Sequence, residues 1–503
     1  MTPRRLVLAG WILLSLAWAF GNPPFAGPDE RAHYLRALEV GRGHLITERR
    51  PDLAEGATEA QLAWNRELSY AASVPPHLAP HDHQCWTSDP ALDAGCLDDF
   101  RPPDREVVLA TQVGPYQPFP YLLPGAATRA ADTAGPADRL ARLANALLCL
   151  ALLWVALRMT WRPEAGALSL VGLLLAVTPM AVFCASMLGG SGPEIAAAIA
   201  FTAAALRLRR DPSAAGAWAG LGAGGAVLAL SRTSGPAYLA AIALSVLALG
   251  GTGPALRLLR ERGRVAVAAV VSIVAAVALS LAWDRAHGAA PDTGFANLRA
   301  VAGDAVGEWW RASSELVGKF GYLEYRLPAV AYATWLAAGF GLVAVALWAA
   351  GRRERIALGA VLAAAAAFPM LLWVYAIRQT GFGLQGRYVL PVLVVVPLIA
   401  GELVAAHAAS LGERLRRAFA RWMPALAGAV HLLAFYWAAR RAAVGTDGPY
   451  LFLGDSGWSP PLGWVVWLLI AALGAGLVAA APRAATRPGA RPAARSARPA
   501  ARP

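Results

Sequence analysis

The chain has 503 residues, 57% hydrophobic and only 15% charged, against roughly 25% charged in soluble chains. Its apolar residues form runs, such as 143–157, 265–283 and 389–401, that lack a polar stripe, which excludes an ordinary soluble domain. The net charge of +13 is nearly all arginine, set in short clusters between the runs and in the tail. No basic helix, aromatic platform or binding motif accompanies it, so no nucleic acid is expected as a partner.

Residues 1–20 join Arg4 and Arg5 to an apolar run and predict a first transmembrane helix or signal anchor. Ala17-Trp18-Ala19 also fits a cleavage pattern, which leaves a signal peptide open. Residues 21–138 are polar, proline-rich and mixed in charge, and predict an extracytoplasmic loop domain. Apolar runs then recur at 139–157, 164–187, 193–206, 214–231, 235–250 and 264–283, which give transmembrane helices 2–7 within 139–283. After a second extracytoplasmic loop at 284–328, runs at 329–350, 356–377, 388–405, 422–439 and 461–481 give helices 8–12 within 329–481. The expected fold is an all-α polytopic membrane protein of about 12 transmembrane helices with a large first extracytoplasmic loop.

Arginine clusters occupy every second connection, at 158–162, 207–210, 257–264, 352–355 and 414–421. By the positive-inside rule these connections are cytoplasmic, as is the N-terminus, in a multi-pass protein of the plasma membrane. Arg440 and Arg441 are the exception. The tail 482–503 is Ala/Arg/Pro low complexity, expected to be disordered and cytoplasmic, with arginines that can touch membrane lipid.

Cys85 and Cys96 share the first loop, in an oxidising compartment, and a disulfide is expected. The alternative is a metal site on His81, His83 and Cys85, spaced as on a strand but without an evident fourth ligand. Cys149 and Cys184 fall inside spans and are expected to pack.

Two features carry chemistry. Asn22-Pro-Pro-Phe-Ala-Gly-Pro-Asp-Glu-Arg-Ala-His-Tyr34 follows the first span. Pro28 suits the first helical position, which puts Asp29 and Glu30 in the first turn, where the helix dipole favours each by about 0.3–1 kcal/mol. That alone accounts for the acids as helix-starting residues. The i, i+4, i+7 spacing of Asp29, His33 and Arg36 adds a shared face. A carboxylate beside an imidazole can deprotonate a hydroxyl, or Asp29 and His33 can hold a divalent cation, Mg or Mn.

The second feature is arginine at the outer ends of spans: Arg232, Arg326, Arg378, and Arg387 followed by Tyr388. Positive charge is depleted there. These arginines pair with Glu194, Glu308 or Glu324 or snorkel to lipid, or else they grip an anionic ligand such as a lipid phosphate.

These residues resemble domain of unknown function family 2142, multi-spanning proteins common in actinobacteria. The resemblance rests on Pro28-Asp-Glu-Arg-Ala-His33, Pro118-Phe-Pro-Tyr121, Ala141-Arg-Leu-Ala-Asn145 and Ser186–Glu194. It continues through Leu230-Ser-Arg-Thr233, Gly318-Lys-Phe-Gly-Tyr-Leu-Glu324 and Gly386-Arg-Tyr-Val-Leu-Pro391. That layout is similar to the GT-C superfamily of membrane glycosyltransferases, which take a sugar from a polyprenyl-phosphate carrier. The resemblance implies a catalytic role for Asp29 with Glu30 beside it, and His33 and Glu324 in support. Arg232, Arg326, Arg387 and Tyr388 would bind the phosphate of the sugar donor, and an envelope glycan or lipid would be the acceptor. Glu324 stands where the pattern has aspartate. The rivals are a transporter or flippase of a lipid-linked sugar, which needs polar residues deep in several spans, and a non-enzymatic scaffold.

Overall fold

The computed structural model describes residues 1–56, 59–82, 84–87, 89–251, 263–288, 298–380, 384–454 and 456–485. His83, most of the 257–264 cluster, the loop stretch 289–297, the Arg378 side chain and the tail beyond 485 lie outside the described residues.

Helix α1 (Pro3–Gly21) opens on a proline, whose missing N–H costs nothing in a first turn. The segment after it holds α2 (Glu30–Gly41), α3 (Glu59–Glu67), α4 (Gln84–Thr87) and α5 (Leu122–Thr128). It also holds the antiparallel pair β1 (Tyr70–Val74) and β2 (Val107–Thr111), in register from Tyr70 opposite Thr111 to Val74 opposite Val107. The bundle continues as α6 (Ala134–Thr160), α7 (Val171–Ala176), α8 (Pro179–Ser186), α9 (Ser191–Arg210), α10 (Ala215–Ser231), α11 (Gly235–Gly250) and α12 (Gly263–His287). Then come α13 (Leu298–Glu315) and a short hairpin of β3 (Lys319–Phe320) with β4 (Tyr325–Arg326). Helices α14 (Ala329–Ala349), α15 (Arg352–Thr380), α16 (Gly386–Leu393), α17 (Val395–Ala406), α18 (Glu413–Val444) and α19 (Gly463–Ala485) complete the chain.

Among the described residues, eight helices are long and apolar enough to cross a membrane, α16 and α17 counting as one. The run expected at 164–187 is not one straight span. It bends by 65° between Ala176 and Pro179, where Pro179 cannot donate to the preceding turn and Thr178 caps α8 by accepting from the Ala181 N–H at 3.1 Å. Taken as one broken span it makes nine. The expected count of about twelve is reached only by adding α9, whose last turn carries Arg207, Arg209 and Arg210, and the short helices α10 and α11 of 17 and 16 residues.

Small residues let spans approach closely, as in many membrane bundles. A Cβ on Gly10 would lie 2.6 Å from the Gly474 carbonyl oxygen, so α1 and α19 meet backbone to backbone. Trp18 sits at the centre against Phe183, Phe320 and Phe435, with ring centroids 5.1, 4.9 and 5.6 Å away. The outward surface of α12 is the reverse of a soluble helix: Val267, Val271, Val274 and Leu281 are more than half exposed. Lipid is the solvent that such a surface fits.

Candidate functional site at Asp29 and Arg387

The turn between α1 and α2 is pinned from below by α6. Arg142, fully buried, donates to the carbonyl oxygens of Ala19 (2.9 Å), Asn22 (3.1 Å) and Pro23 (2.7 Å) and to both Glu30 oxygens at 2.8 and 2.6 Å. Glu30 also accepts the N–H groups of Gly27 (2.8 Å) and Leu188 (2.7 Å). Asn145 donates to the Met187 carbonyl at 2.8 Å and so fixes the chain that leaves the broken span.

Held this way, the helix starts at Glu30 rather than at Pro28. Asp29 caps it in the left-handed region, φ 58° and ψ 14°. Aspartate and asparagine are among the few non-glycine residues that settle there readily. The strained backbone turns the Asp29 carboxylate toward α16.

There Arg387 donates to Asp29 Oδ2 at 2.6 Å, to the Pro28 carbonyl at 3.3 Å, to Gln385 Oε1 at 2.8 Å and to the Tyr388 hydroxyl at 2.9 Å. Arg232, at the end of α10, joins this group: the Tyr388 ring centroid sits 4.7 Å from the Arg232 guanidinium and 4.8 Å from that of Arg387. Both cations thus lie against one aromatic ring, which favours each. Arg232 also faces the Tyr116 ring at 5.7 Å and Ser191 Oγ at 3.5 Å. His33 is buried and hydrogen-bonded through Nδ1 to the Tyr121 hydroxyl at 2.6 Å.

Burial alone would raise the Asp29 carboxyl, but Arg387, by charge and hydrogen bond, and Arg232 more weakly hold it below its ordinary value. Burial pushes the His33 imidazole down to about 3, against the pull of Asp29, so the ring is neutral near pH 7. The result is an ionised carboxylate with its side chain 28% exposed, two arginines and a neutral imidazole in one place. This set can bind a phosphate and accept a proton.

The structure brings together Asp29, His33, Arg232, Arg387 and Tyr388 from three separate stretches of sequence. Four expectations are corrected. Glu30 is sealed by Arg142 and two backbone N–H groups, so it anchors the turn and touches no open space. Arg36 does not share a working face with Asp29; it donates to the carbonyls of Leu45 and Tyr116 at 2.8 Å. Glu324 points elsewhere, with Oε1 3.8 Å from Arg441 Nε, and Arg326 is exposed on β4. A divalent cation on Asp29 and His33 fits poorly. Arg387 already neutralises the carboxylate, and among the described residues no group of three or more metal-ligating side chains occurs.

Cys85 and Cys96 are joined, with Cα atoms 6.3 Å apart, which removes Cys85 from the alternative metal set. Of the misplaced arginines of α18, Arg441 donates into this segment, to the carbonyls of Leu92 (2.6 Å) and Trp86 (2.8 Å), while Arg440 turns to the Gly448 and Pro449 carbonyls. Tyr121, Tyr116, Arg142 and the Arg387 contact Gln385 carry the site without having been assigned roles from sequence. Asp138 and Arg142, four apart where the chain enters an apolar run, were the available signal.

Outward-facing apolar helices and, among the described residues, eight candidate spans define a multi-pass α-helical membrane protein in contact with lipid. The chain belongs to the family described as predicted membrane protein (DUF2142), whose sequence profile matches residues 12–396. No curated protein and no solved structure matches the chain. The matched range contains every member of the Asp29–Arg387 cluster.

Proposed function

We propose that the protein is a membrane glycosyltransferase that moves a sugar from a polyprenyl-phosphate carrier to an envelope glycan or lipid on the outer face of the plasma membrane. The N-terminus is then cytoplasmic and the segment between α1 and α6 extracytoplasmic, in keeping with the alternating arginine clusters and the Cys85–Cys96 disulfide. The observation that carries the reading is the 2.6 Å pair of Asp29 and Arg387 beside the second cation, Arg232. The layout's likeness to the GT-C superfamily supports it.

In this reading the carrier phosphate engages Arg232 and draws Arg387 from Asp29. Each transferred contact makes Asp29 a stronger base, because Arg387 is the chief group that lowers its carboxyl. Asp29 takes the acceptor hydroxyl proton as the acceptor oxygen bonds to the anomeric carbon. The carbon–oxygen bond to phosphate breaks, and polyprenyl phosphate leaves with its charge held by the arginines. His33, neutral and fixed by Tyr121, stands beside Asp29 without adding a competing charge. Buried charge at the bundle ends and an apolar interior between them favour this over transport, which needs a polar path through the spans.

The test is complementation of a deletion strain, read as envelope glycan composition with membrane protein levels measured alongside. Asp29→Asn keeps the left-handed backbone but removes the base, and should lower product by about 10²–10⁴. Arg387→Gln should fail similarly, and Arg387→Lys should retain a small part, since lysine offers charge without the fork. Full glycan restoration by Asp29→Asn would overturn the assignment.

A further inference from the structure

Arg387 does not position itself. The three residues before it are held by α13, a helix that lies outside the eight candidate spans. Glu308 Oε2 accepts the Leu384 N–H at 3.2 Å, and Arg311 Nη2 donates to the Leu384 carbonyl at 2.6 Å. Glu315 Oε2 accepts the Gly386 N–H at 2.7 Å. These side chains are locked to one another: Arg311 bridges Glu308 at 2.7 Å and Glu315 at 3.0 Å, and Lys319 reaches Glu315 at 3.3 Å. Glu315 has a side chain only 1% exposed, a strong commitment of a carboxylate to one backbone N–H and two cations.

The packing leaves no slack. A Cβ on Gly386 would fall 2.5 Å from Glu315 Cβ and 2.9 Å from the Ala312 carbonyl, so only glycine lets the start of α16 rest on α13. The segment 384–386 is thereby held at both of its ends. Gln385, between the two held residues, is the side chain that accepts from Arg387 Nε.

We propose that Glu315, with Glu308 and Arg311, is a positioning residue for Arg387: α13 sets where the Arg387 guanidinium sits relative to Asp29. The role of Arg387 in phosphate binding rests on the reading above, but the positioning does not. Glu315 touches no reacting atom. Its contribution passes through the Gly386 backbone, so α13 can tune the Asp29–Arg387 pair from outside the spans.

The test separates the two. Asp29→Cys and Arg387→Cys are introduced together, and their bridging by a short bifunctional thiosulfonate is timed in purified full-length protein. In the Glu315 background bridging should be fast. Glu315→Ala should slow it at least five-fold, and Glu315→Gln should recover more than half of the rate, because its amide oxygen still accepts the Gly386 N–H. Gly386→Ala, which alters no charge, should slow bridging as Glu315→Ala does. Glu308→Gln, at a more exposed position, gives a smaller loss and serves where the others express poorly. Unchanged bridging in Glu315→Ala and Gly386→Ala overturns the proposal, as does an equal loss in Glu315→Gln and Glu315→Ala. Slowed bridging in the cysteine pair, with normal glycan from Glu315→Ala carrying native Asp29 and Arg387, upholds the positioning and rejects the enzyme role of Arg387.

Discussion

Two neighbouring acids, Asp29 and Glu30, end in opposite circumstances, and their substitutions should separate. Glu30 is fully buried with Arg142 and Asp138 around it. Removing Glu30 leaves Arg142 with Asp138 alone as its acid and strips the buried Gly27 and Leu188 N–H groups of their acceptor, at a cost of about 1–3 kcal/mol for each unsatisfied group. Glu30→Ala should therefore lower the thermal midpoint and the yield of folded protein, measured in detergent by differential scanning fluorimetry. Asp29→Asn should behave like wild type in that assay, since asparagine accepts the left-handed φ of 58° and Arg387 keeps the Pro28, Gln385 and Tyr388 contacts. A normal Glu30→Ala midpoint would contradict the anchoring role. From the sequence Asp29 and Glu30 look alike, two carboxylates at a helix start. The distinction comes from Arg142, 112 residues away, and no local pattern carries it.

At the scale of elements, the β3–β4 hairpin shows how a motif can be recognised and its role mistaken. Glu324 was expected to support Asp29. Instead the Leu323 backbone turns through φ 65° and Glu324 is directed to Arg441 of α18. Burial pushes its carboxyl up to about 7, with Arg441 too distant to restore it. The folded protein then holds a proton there that the unfolded chain releases above its ordinary value of 4.5. Stability from this group is present below about pH 4.5 and is lost as pH rises through about 7. The thermal midpoint should fall from pH 5 to pH 8, and Glu324→Gln should flatten that fall; an equally steep fall in the variant would contradict it.

The helices were legible wherever an apolar run was long. The bend at Pro179 was not, because the run 164–187 reads as continuous while a single missing N–H and the Thr178 cap decide its course. Nor was the hold of α13 on α16, since 284–328 reads from sequence as a loop and the partners of Glu308, Arg311 and Glu315 lie 71 to 76 residues further on.

Across the whole molecule the charges divide between two ends. At one, Glu402 of α17 is gripped by Arg162 and Arg210, which ties α6, α9 and α17 together. At the other, Asp29, Arg232 and Arg387 are drawn from the loop after α1, the end of α10 and the start of α16. The first set is closed by an acid shared between two bases. The second holds a guanidinium, Arg232, set among the Tyr116 and Tyr388 rings, the Ser191 hydroxyl at 3.5 Å and, by longer-range attraction, the Glu194 carboxylate. Arginine so placed has its fork available for an anion. The positions lie far apart in the chain, which is why single motifs could nominate them and only the fold could join them.

The central claim is that the arginines bind the carrier phosphate while Asp29 performs the proton transfer. The most direct measurement is binding of a polyprenyl phosphate to purified protein, by native mass spectrometry across a lipid titration. Arg387→Gln and Arg232→Gln should each weaken binding at least ten-fold. Asp29→Asn should bind as well as wild type or better, because the competing carboxylate is gone. Equal binding by wild type and both arginine variants, or loss of binding in Asp29→Asn alone, would contradict the account.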